Sequence, residues 1–258
     1  ININLIRKAK KNLSGLVEKT PVIKSHSLSE IIDGKVYLKL ESLQKTGSFK
    51  LRGSTNKLLN LSNTEKKRGV VAVSTGNHGK GVALAAKNLG IEATIFMSKL
   101  VPKDRLKAIK NLGAKVKIIG NTSDEAELEA NQFVKKTKKI MVHPFDDPFV
   151  IAGQGTIGLE MLEQFPKLDT VVVPTSGGGL IGGIALAIKT IRPKVKVIAV
   201  SMKEGASMYQ SLKKGYPVDA KEKKTLADSL GGSIGINNHY TFKIVQKYVD
   251  DFIVINEK

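Results

Sequence analysis

The sequence predicts an α/β protein built on parallel sheets, and three observations carry that expectation. Short β-branched runs alternate with longer stretches of helical character. Glycine or proline stands at the junctions, as at Gly90, Pro102, Gly113 and Pro193. The strand candidates are apolar on both sides, the pattern of strands covered on both faces.

In chain order, Val36–Leu40 reads as a strand and Ser48–Leu61 as the helix after it. Gly69–Ser74 is the next strand, followed by a helix over Gly79–Leu89 that Gly90 stops. Glu92–Met97 is a strand, and Pro102 precedes a helix over Lys103–Leu112 that ends before Gly113. Lys115–Ile119 and Ser123–Lys138 complete a fourth strand–helix unit. The run His143-Pro144-Phe145-Asp146-Asp147-Pro148 then interrupts the pattern with two prolines, a candidate domain boundary. Beyond it come a helix at Val150–Gln164, a strand at Thr170–Val173, a helix at Leu180–Thr190 and a strand at Val195–Val200. A helix over Tyr240–Val249 leads into the last strand, Asp251–Ile255.

With 258 residues, 41% of them hydrophobic, the chain can bury a sizeable core as one large domain or two modest ones. It contains no cysteine, which excludes disulfides, thiolate metal sites and a cysteine nucleophile and is compatible with a reducing cytosol. Arg7, Lys8, Lys10 and Lys11 break any apolar core between Ile1 and Leu16, so no signal peptide is expected there. The run Leu180–Ile188 is too short to cross a bilayer and contains Gly182 and Gly183. The expectation is a soluble, cytoplasmic protein with no membrane partner.

A net charge of +19 invites a nucleic-acid reading. The excess is almost all lysine, with arginine confined to positions 7, 52, 68, 105 and 192, whereas bidentate phosphate and base recognition favours arginine. The lysines are spread along the whole chain, with only local clusters such as Lys135–Lys139 and Lys221–Lys224. They are read as a solvated surface that mildly attracts anionic ligands, with no nucleic-acid partner.

Three loops carry candidate chemistry. Thr175-Ser176-Gly177-Gly178-Gly179-Leu180 follows a strand and opens a helix, so its backbone N–H groups can hold a phosphate; the plain alternative is a flexible turn. No Gly-Lys-Ser/Thr follows the glycines, which disfavours a P-loop, and the spacing does not fit a dinucleotide site. Ser74-Thr75-Gly76-Asn77-His78-Gly79 also joins a strand to a helix and can hold a carboxylate, or serve simply as an N-cap. His78 has no evident carboxylate partner and receives no catalytic role. Lys50, after Ser48-Phe49 at a helix start, could form an imine with an aldehyde cofactor or be one more solvated cation. Residue by residue, the reading stops at a phosphate-bearing ligand between two α/β lobes.

Taken together, the runs Glu41–Gly53, Ser74–Gly79, Val150–Glu160 and Ser176–Leu180 resemble, in order and spacing, the fold-type II pyridoxal-phosphate enzymes, specifically threonine dehydratase and serine racemase. The runs Val200–Met208 and Thr225–Gly235 look most like the hydroxyectoine-utilization dehydratase branch. The resemblance implies a two-domain fold: a large cofactor domain from residues 1–68 and 146–258, continuing past the last residue, and a small domain from residues 69–145 that carries the carboxylate loop. It implies that Lys50 is the Schiff-base lysine, with Phe49 beside the cofactor ring and Asn77 bonded to the ring hydroxyl. Ser176, Gly177, Gly178, Gly179 and Leu180 would bind the cofactor phosphate, and Ser74, Thr75, Gly76, Asn77 and His78 the substrate carboxylate. The implied activity is β-elimination from a hydroxy-amino acid to a keto acid and ammonia, in a homodimer; racemisation and β-replacement are the alternatives on the same fold. A polyanion-binding protein without enzymatic activity is the alternative outside it. Thr75 stands where the racemases carry a serine, and Ser201, Gly205 and Ser207 stand where the racemase-like branch carries acidic metal ligands, so no metal site is implied.

Overall fold

In the computed structural model, residues 1–220 and 225–256 are described; the Lys221–Lys224 cluster noted in the sequence lies outside them. The chain opens with α1 (Ile3–Asn12), capped by the Asn2 side chain on the Leu5 N–H and burying Ile6 and Ala9. The lysines that interrupt its apolar run lie on the other face of an amphipathic helix, a period-3.6 pattern too short to stand out in the sequence. Next come β1 (Val22–Ser25), α2 (His26–Ile31), β2 (Val36–Lys39), α3 (Lys50–Leu59), α4 (Asn63–Arg68) and β3 (Val70–Val73). They are followed by α5 (Asn77–Leu89), β4 (Ala93–Met97), α6 (Lys103–Asn111), β5 (Lys115–Ile118), α7 (Ser123–Thr137) and β6 (Ile140–Met141). The remainder is α8 (Pro148–Gln164), β7 (Thr170–Pro174), α9 (Gly179–Ile191), β8 (Lys196–Met202), α10 (Ser207–Lys214), α11 (Thr241–Tyr248) and β9 (Asp251–Ile255).

The strands form three sheets. A parallel four-stranded sheet has the order β5-β4-β3-β6, and a parallel three-stranded sheet has the order β7-β8-β9. The third, β1 with β2, is antiparallel, an addition to the parallel pattern that the sequence did not announce. In the first parallel sheet Val70 pairs with Ala93 and Ile140, and α5 and α6 bury Val82, Ala86 and Ile109 against it. In the second, Val171, Val173, Val197 and Ala199 enter a core shared with Ile181, Ile184 and Ile188 of α9.

Burial on both strand faces holds for β4, whose five residues are all buried, but not generally. β7 alternates, with Val172 60% exposed between the buried Val171 and Val173, while β9 presents Ile253 and Ile255 to solvent. Only one face of the second sheet is packed by described helices, and a β-branched run does not reveal that.

The Gly153-Gln154-Gly155 run has a packing role. A Cβ on Gly153 would meet the Arg52 carbonyl at 2.6 Å, and one on Gly155 would meet the Gly183 carbonyl at 2.9 Å. Glycine here brings α8 into backbone contact with α3 and α9, and so fixes the start of α3 against the start of α9. Below this crossing lies a buried charge cluster. The Arg52 guanidinium donates to Glu41 at 2.8 and 2.9 Å, to Glu160 at 2.6 and 2.9 Å and to the Glu18 carbonyl at 2.9 Å. The Lys39 ammonium donates to Glu160 at 2.5 Å. The cluster ties α3 to α8 and to the Glu41–Leu43 3₁₀ turn.

Candidate active site

Lys50 begins α3, and its backbone N–H donates to the Ser48 hydroxyl at 3.2 Å. Gly81 of α5 packs against it so closely that a Cβ there would lie 3.1 Å from the Lys50 carbonyl carbon. The side chain runs inward, where its ammonium donates to the Pro144 carbonyl at 2.8 Å and sits 5.4 Å from the centre of the Phe49 ring. Burial holds its pKa down, to about 8, because the interior disfavours the charged form. Lys50 is therefore set apart from the chain's solvated lysines: it is an amine that loses its proton easily, inside a cavity.

The cavity has a volume of about 540 Å³. Across it from Lys50 lies the corner between β7 and α9. Gly178 sits at φ +84°, a left-handed conformation natural to glycine, and α9 begins at Gly179. A Cβ on Gly177 would overlap the Phe145 ring, and one on Gly179 would lie 2.9 Å from Phe145 main-chain and side-chain atoms. Three side-chain-free residues at the start of a 13-residue helix form a concave set of N–H donors with the positive end of the helix dipole behind them. Ser176 completes the loop, its hydroxyl donating to the Gly231 carbonyl at 3.2 Å.

The third wall is the corner between β3 and α5. The Ser74 hydroxyl accepts from the Gly76 N–H at 3.1 Å, and Asn77 opens the helix. Ser74, Asn77 and His78 line the cavity, whereas Thr75 and Gly76 are not part of its lining. The His78 ring is buried, and its Nε2–H donates to the Val142 carbonyl at 2.8 Å. Burial first, and then the nearby Lys50 charge, push its pKa down to about 3, so the ring is neutral. What His78 can offer a carboxylate is its backbone N–H at the helix start; its ring Nε2–H is committed to Val142, and the buried Nδ1, which has no partner, can only accept.

Of the residues singled out in the sequence, Lys50, Phe49, Ser74, Asn77, His78, Ser176, Gly177, Gly178, Gly179 and Leu180 therefore meet at one cavity. Two wall segments were not foreseen. Pro144 and Phe145 belong to the proline-interrupted run that suggested only a boundary, and Ala227–Gly231 to a stretch noted only for its likeness to one branch of a family. The first shows no periodic or glycine-rich signal, and the glycines of the second, Gly231, Gly232 and Gly235, do not stand between a β-branched run and a helix start.

The cavity fits pyridoxal phosphate on its own geometry: a buried, readily deprotonated amine for the aldehyde faces a Cβ-free helix-start loop for the phosphate. A model of that enzyme group, described as pyridoxal-phosphate dependent enzyme, matches residues 13–258. The chain belongs to the pyridoxal-phosphate-dependent enzyme family. Among its relatives, the L-threonine ammonia-lyase of Thermotoga maritima is 48% identical, aligned over 100% of this chain and 64% of its own length. The catabolic L-threonine dehydratase of Staphylococcus aureus is 42% identical, over 100% of this chain and 74% of its own. Among solved structures, maize serine racemase superposes with a TM-score of 0.94 at 35% identity, over 99% of this chain and 77% of that one. The processed form of threonine deaminase isoform 2 from Solanum lycopersicum superposes with a TM-score of 0.91 at 34% identity, over 99% and 76%. The chain thus spans between about two thirds and three quarters of the length of these relatives. The family and its cofactor stand as the sequence led one to expect, as does the likeness to threonine dehydratases.

Proposed function

We propose that this chain carries the active site of an ammonia-lyase that eliminates water from a small hydroxy-amino acid such as threonine or serine, releasing a keto acid and ammonia. The observation that carries this reading is the buried Lys50 amine facing the Gly177–Gly179 loop, with the Ser74–His78 corner on a third side of the same cavity. The curated relatives with dehydratase and ammonia-lyase names support it.

When bound, pyridoxal phosphate would supply an aldehyde to join the substrate amine and an electron-withdrawing ring to take up the α-carbon's electron pair. In this reading the N–H groups of residues 176–180 hold its phosphate, Phe49 packs beside its ring and Asn77 bonds the ring hydroxyl. The Ser74–His78 loop holds the substrate carboxylate through α5 N–H groups and the Ser74 hydroxyl, placing the α-carbon near Lys50; Thr75 and Gly76 shape the turn behind that wall. Lys50 Nζ, as a neutral amine, takes the α-proton; the Pro144 carbonyl orients it, and its burial favours the neutral form. Residues 69–145 form a small domain that closes on the remainder, residues 1–68 and 146–258, and excludes water.

The finer parts of the reading are a homodimer that works in the cytoplasm without nucleic-acid or metal partners, and a place in hydroxyectoine use. The last rests on the runs 200–208 and 225–235, part of which lines the cavity, and it adds an ectoine-derived hydroxy-amino acid to the candidate substrates. A racemase is the second reading, favoured by the superposition on maize serine racemase. Product analysis separates them: purified protein loaded with cofactor is given L-threonine, L-serine and an ectoine-derived hydroxy-amino acid, and both keto acid and D-amino acid are measured. Keto acid in excess supports the lyase, and D-amino acid in excess the racemase. No turnover and no cofactor absorbance band would overturn both.

A further inference from the structure

The segment His143–Asp147, noted in the sequence only as an interruption, links Lys50, the Gly177–Gly179 loop, α8 and the start of α11. Pro144 supplies the carbonyl that accepts from Lys50 Nζ at 2.8 Å. Phe145 lies against Gly177 and Gly179. One Asp146 carboxylate oxygen accepts from His239 N–H at 2.7 Å, and the other accepts from the Tyr240 and Thr241 N–H groups at 2.9 Å each, at the start of α11. Asp147 caps α8 by accepting from Phe149 and Val150 N–H at 2.8 and 3.1 Å, and it pairs with the Lys57 ammonium at 2.6 Å.

What bends the chain so that consecutive residues face different elements is His143. Its Nδ1 accepts from the Asp146 N–H at 2.8 Å and from the Phe145 N–H at 3.3 Å, and its ring meets the Phe145 ring edge-on at 4.6 Å. A nitrogen that accepts carries no proton, so the turn requires the tautomer with hydrogen on Nε2. The charged and titratable groups facing the ring are Asp146, Asp147, Lys50, His239 and His78; burial outweighs the two carboxylates and keeps the ring neutral.

We propose that His143 is a positioning residue: its Nδ1 closes the turn that sets the Pro144 carbonyl on Lys50 and the Phe145 ring under the phosphate loop. The inference rests on the reading of this cavity as the cofactor site, and a histidine reaching the ligand only through its neighbours' main chain leaves no motif to find.

The test compares H143A and H143N. Asparagine can place its side-chain oxygen where Nδ1 accepts, an Asx-turn geometry, whereas alanine cannot. Binding of pyridoxal phosphate to each cofactor-free protein is titrated by absorbance, with wild type as the control for the site itself. H143A is expected to bind about thirtyfold more weakly, the scale of two lost hydrogen bonds, and H143N to recover to within about threefold of wild type. H143A binding as tightly as wild type, or H143N falling as far as H143A, overturns the role of the Nδ1 acceptor. Wild type failing to bind overturns the site reading instead. Because H143A can fail to fold, the tautomer is also read in the cofactor-free wild type from the ring ¹⁵N shifts at neutral pH. The Nε2–H form with a bonded Nδ1 is expected, and an Nδ1–H form or an imidazolium contradicts the proposal.

Discussion

The two strand-to-helix corners that face each other across the cavity are built from similar residues and held differently. At the β7–α9 corner every glycine is confined: Gly177 and Gly179 press on Phe145, and Gly178 has φ +84° with a Cβ there lying 3.1 Å from Thr241. At the β3–α5 corner Gly76 has φ −139° and ψ −136°, and a Cβ would approach only the Arg105 guanidinium, at 4.0 Å, whereas one on Gly79 would lie 2.8 Å from Ile109. One corner is fixed by its surroundings before any ligand arrives, as suits a resident phosphate. The other is confined at Gly79 and open only at the turn around Gly76, the part that in the proposed reading receives the substrate carboxylate. Lys50 sits between them, on a helix clamped by Gly81 above and the Arg52 cluster below.

Substitutions at and between the corners test this contrast. The largest effect belongs to the group between them: Lys50→Ala is expected to lower keto-acid formation by about a thousandfold or more, the scale of a lost base and nucleophile, measured on protein supplied with excess cofactor. Arg52→Ala removes the cation shared by Glu41 and Glu160 and leaves two buried carboxylates short of a partner. The expected loss of stability is about 3–5 kcal/mol, read from urea unfolding, and an unchanged midpoint would remove Arg52 from the set of groups that hold α3. Gly177→Ala forces a methyl into Phe145, and its cofactor affinity should fall by about tenfold to a hundredfold, as overpacking costs about 1–3 kcal/mol. Gly76→Ala, by contrast, should change cofactor affinity by no more than about twofold, since its Cβ meets ordinary space. Equal effects at the two glycines would erase the distinction between the corners.

A pH effect follows from burial of the amine. The folded chain releases the Lys50 proton near pH 8, while an exposed lysine holds it to 10.5, so between those values the unfolded chain binds more protons. Lys50 therefore makes the cofactor-free protein more stable as pH rises through that window, and makes cofactor association faster as pH approaches 8 from below. Stopped-flow association rates that instead climb only toward pH 10.5 would place the reacting lysine at the surface.

The fold class and both corners were legible because strand–loop–helix units leave strong local marks: β-branched runs, a glycine or proline at each junction, and small residues before a helix. The distinction of Lys50 from the other lysines was not legible locally, since burial is set by α5 and by the Pro144 carbonyl, 94 residues away. The likeness of several ordered runs to a known family supplied it. His143, Pro144 and Phe145 were invisible as site residues because they act through main-chain atoms and ring contacts that any turn sequence could make. β2 was read as a strand, but its antiparallel partner β1 and the helix α2 were missed because their segments are short and largely exposed, with Ile31 and Ile32 facing solvent. The open face of the β7–β8–β9 sheet was misread because apolar residues such as Val172 and Ile255 occupy it.

The most direct measurement of the central claim is chemical. Protein loaded with pyridoxal phosphate is reduced with borohydride, digested and mapped by mass spectrometry to find which of its many lysines carries the cofactor. The label is predicted on Lys50, with Lys50→Ala unlabelled under the same conditions. Label spread over surface lysines, or concentrated on a different one, would contradict the assignment.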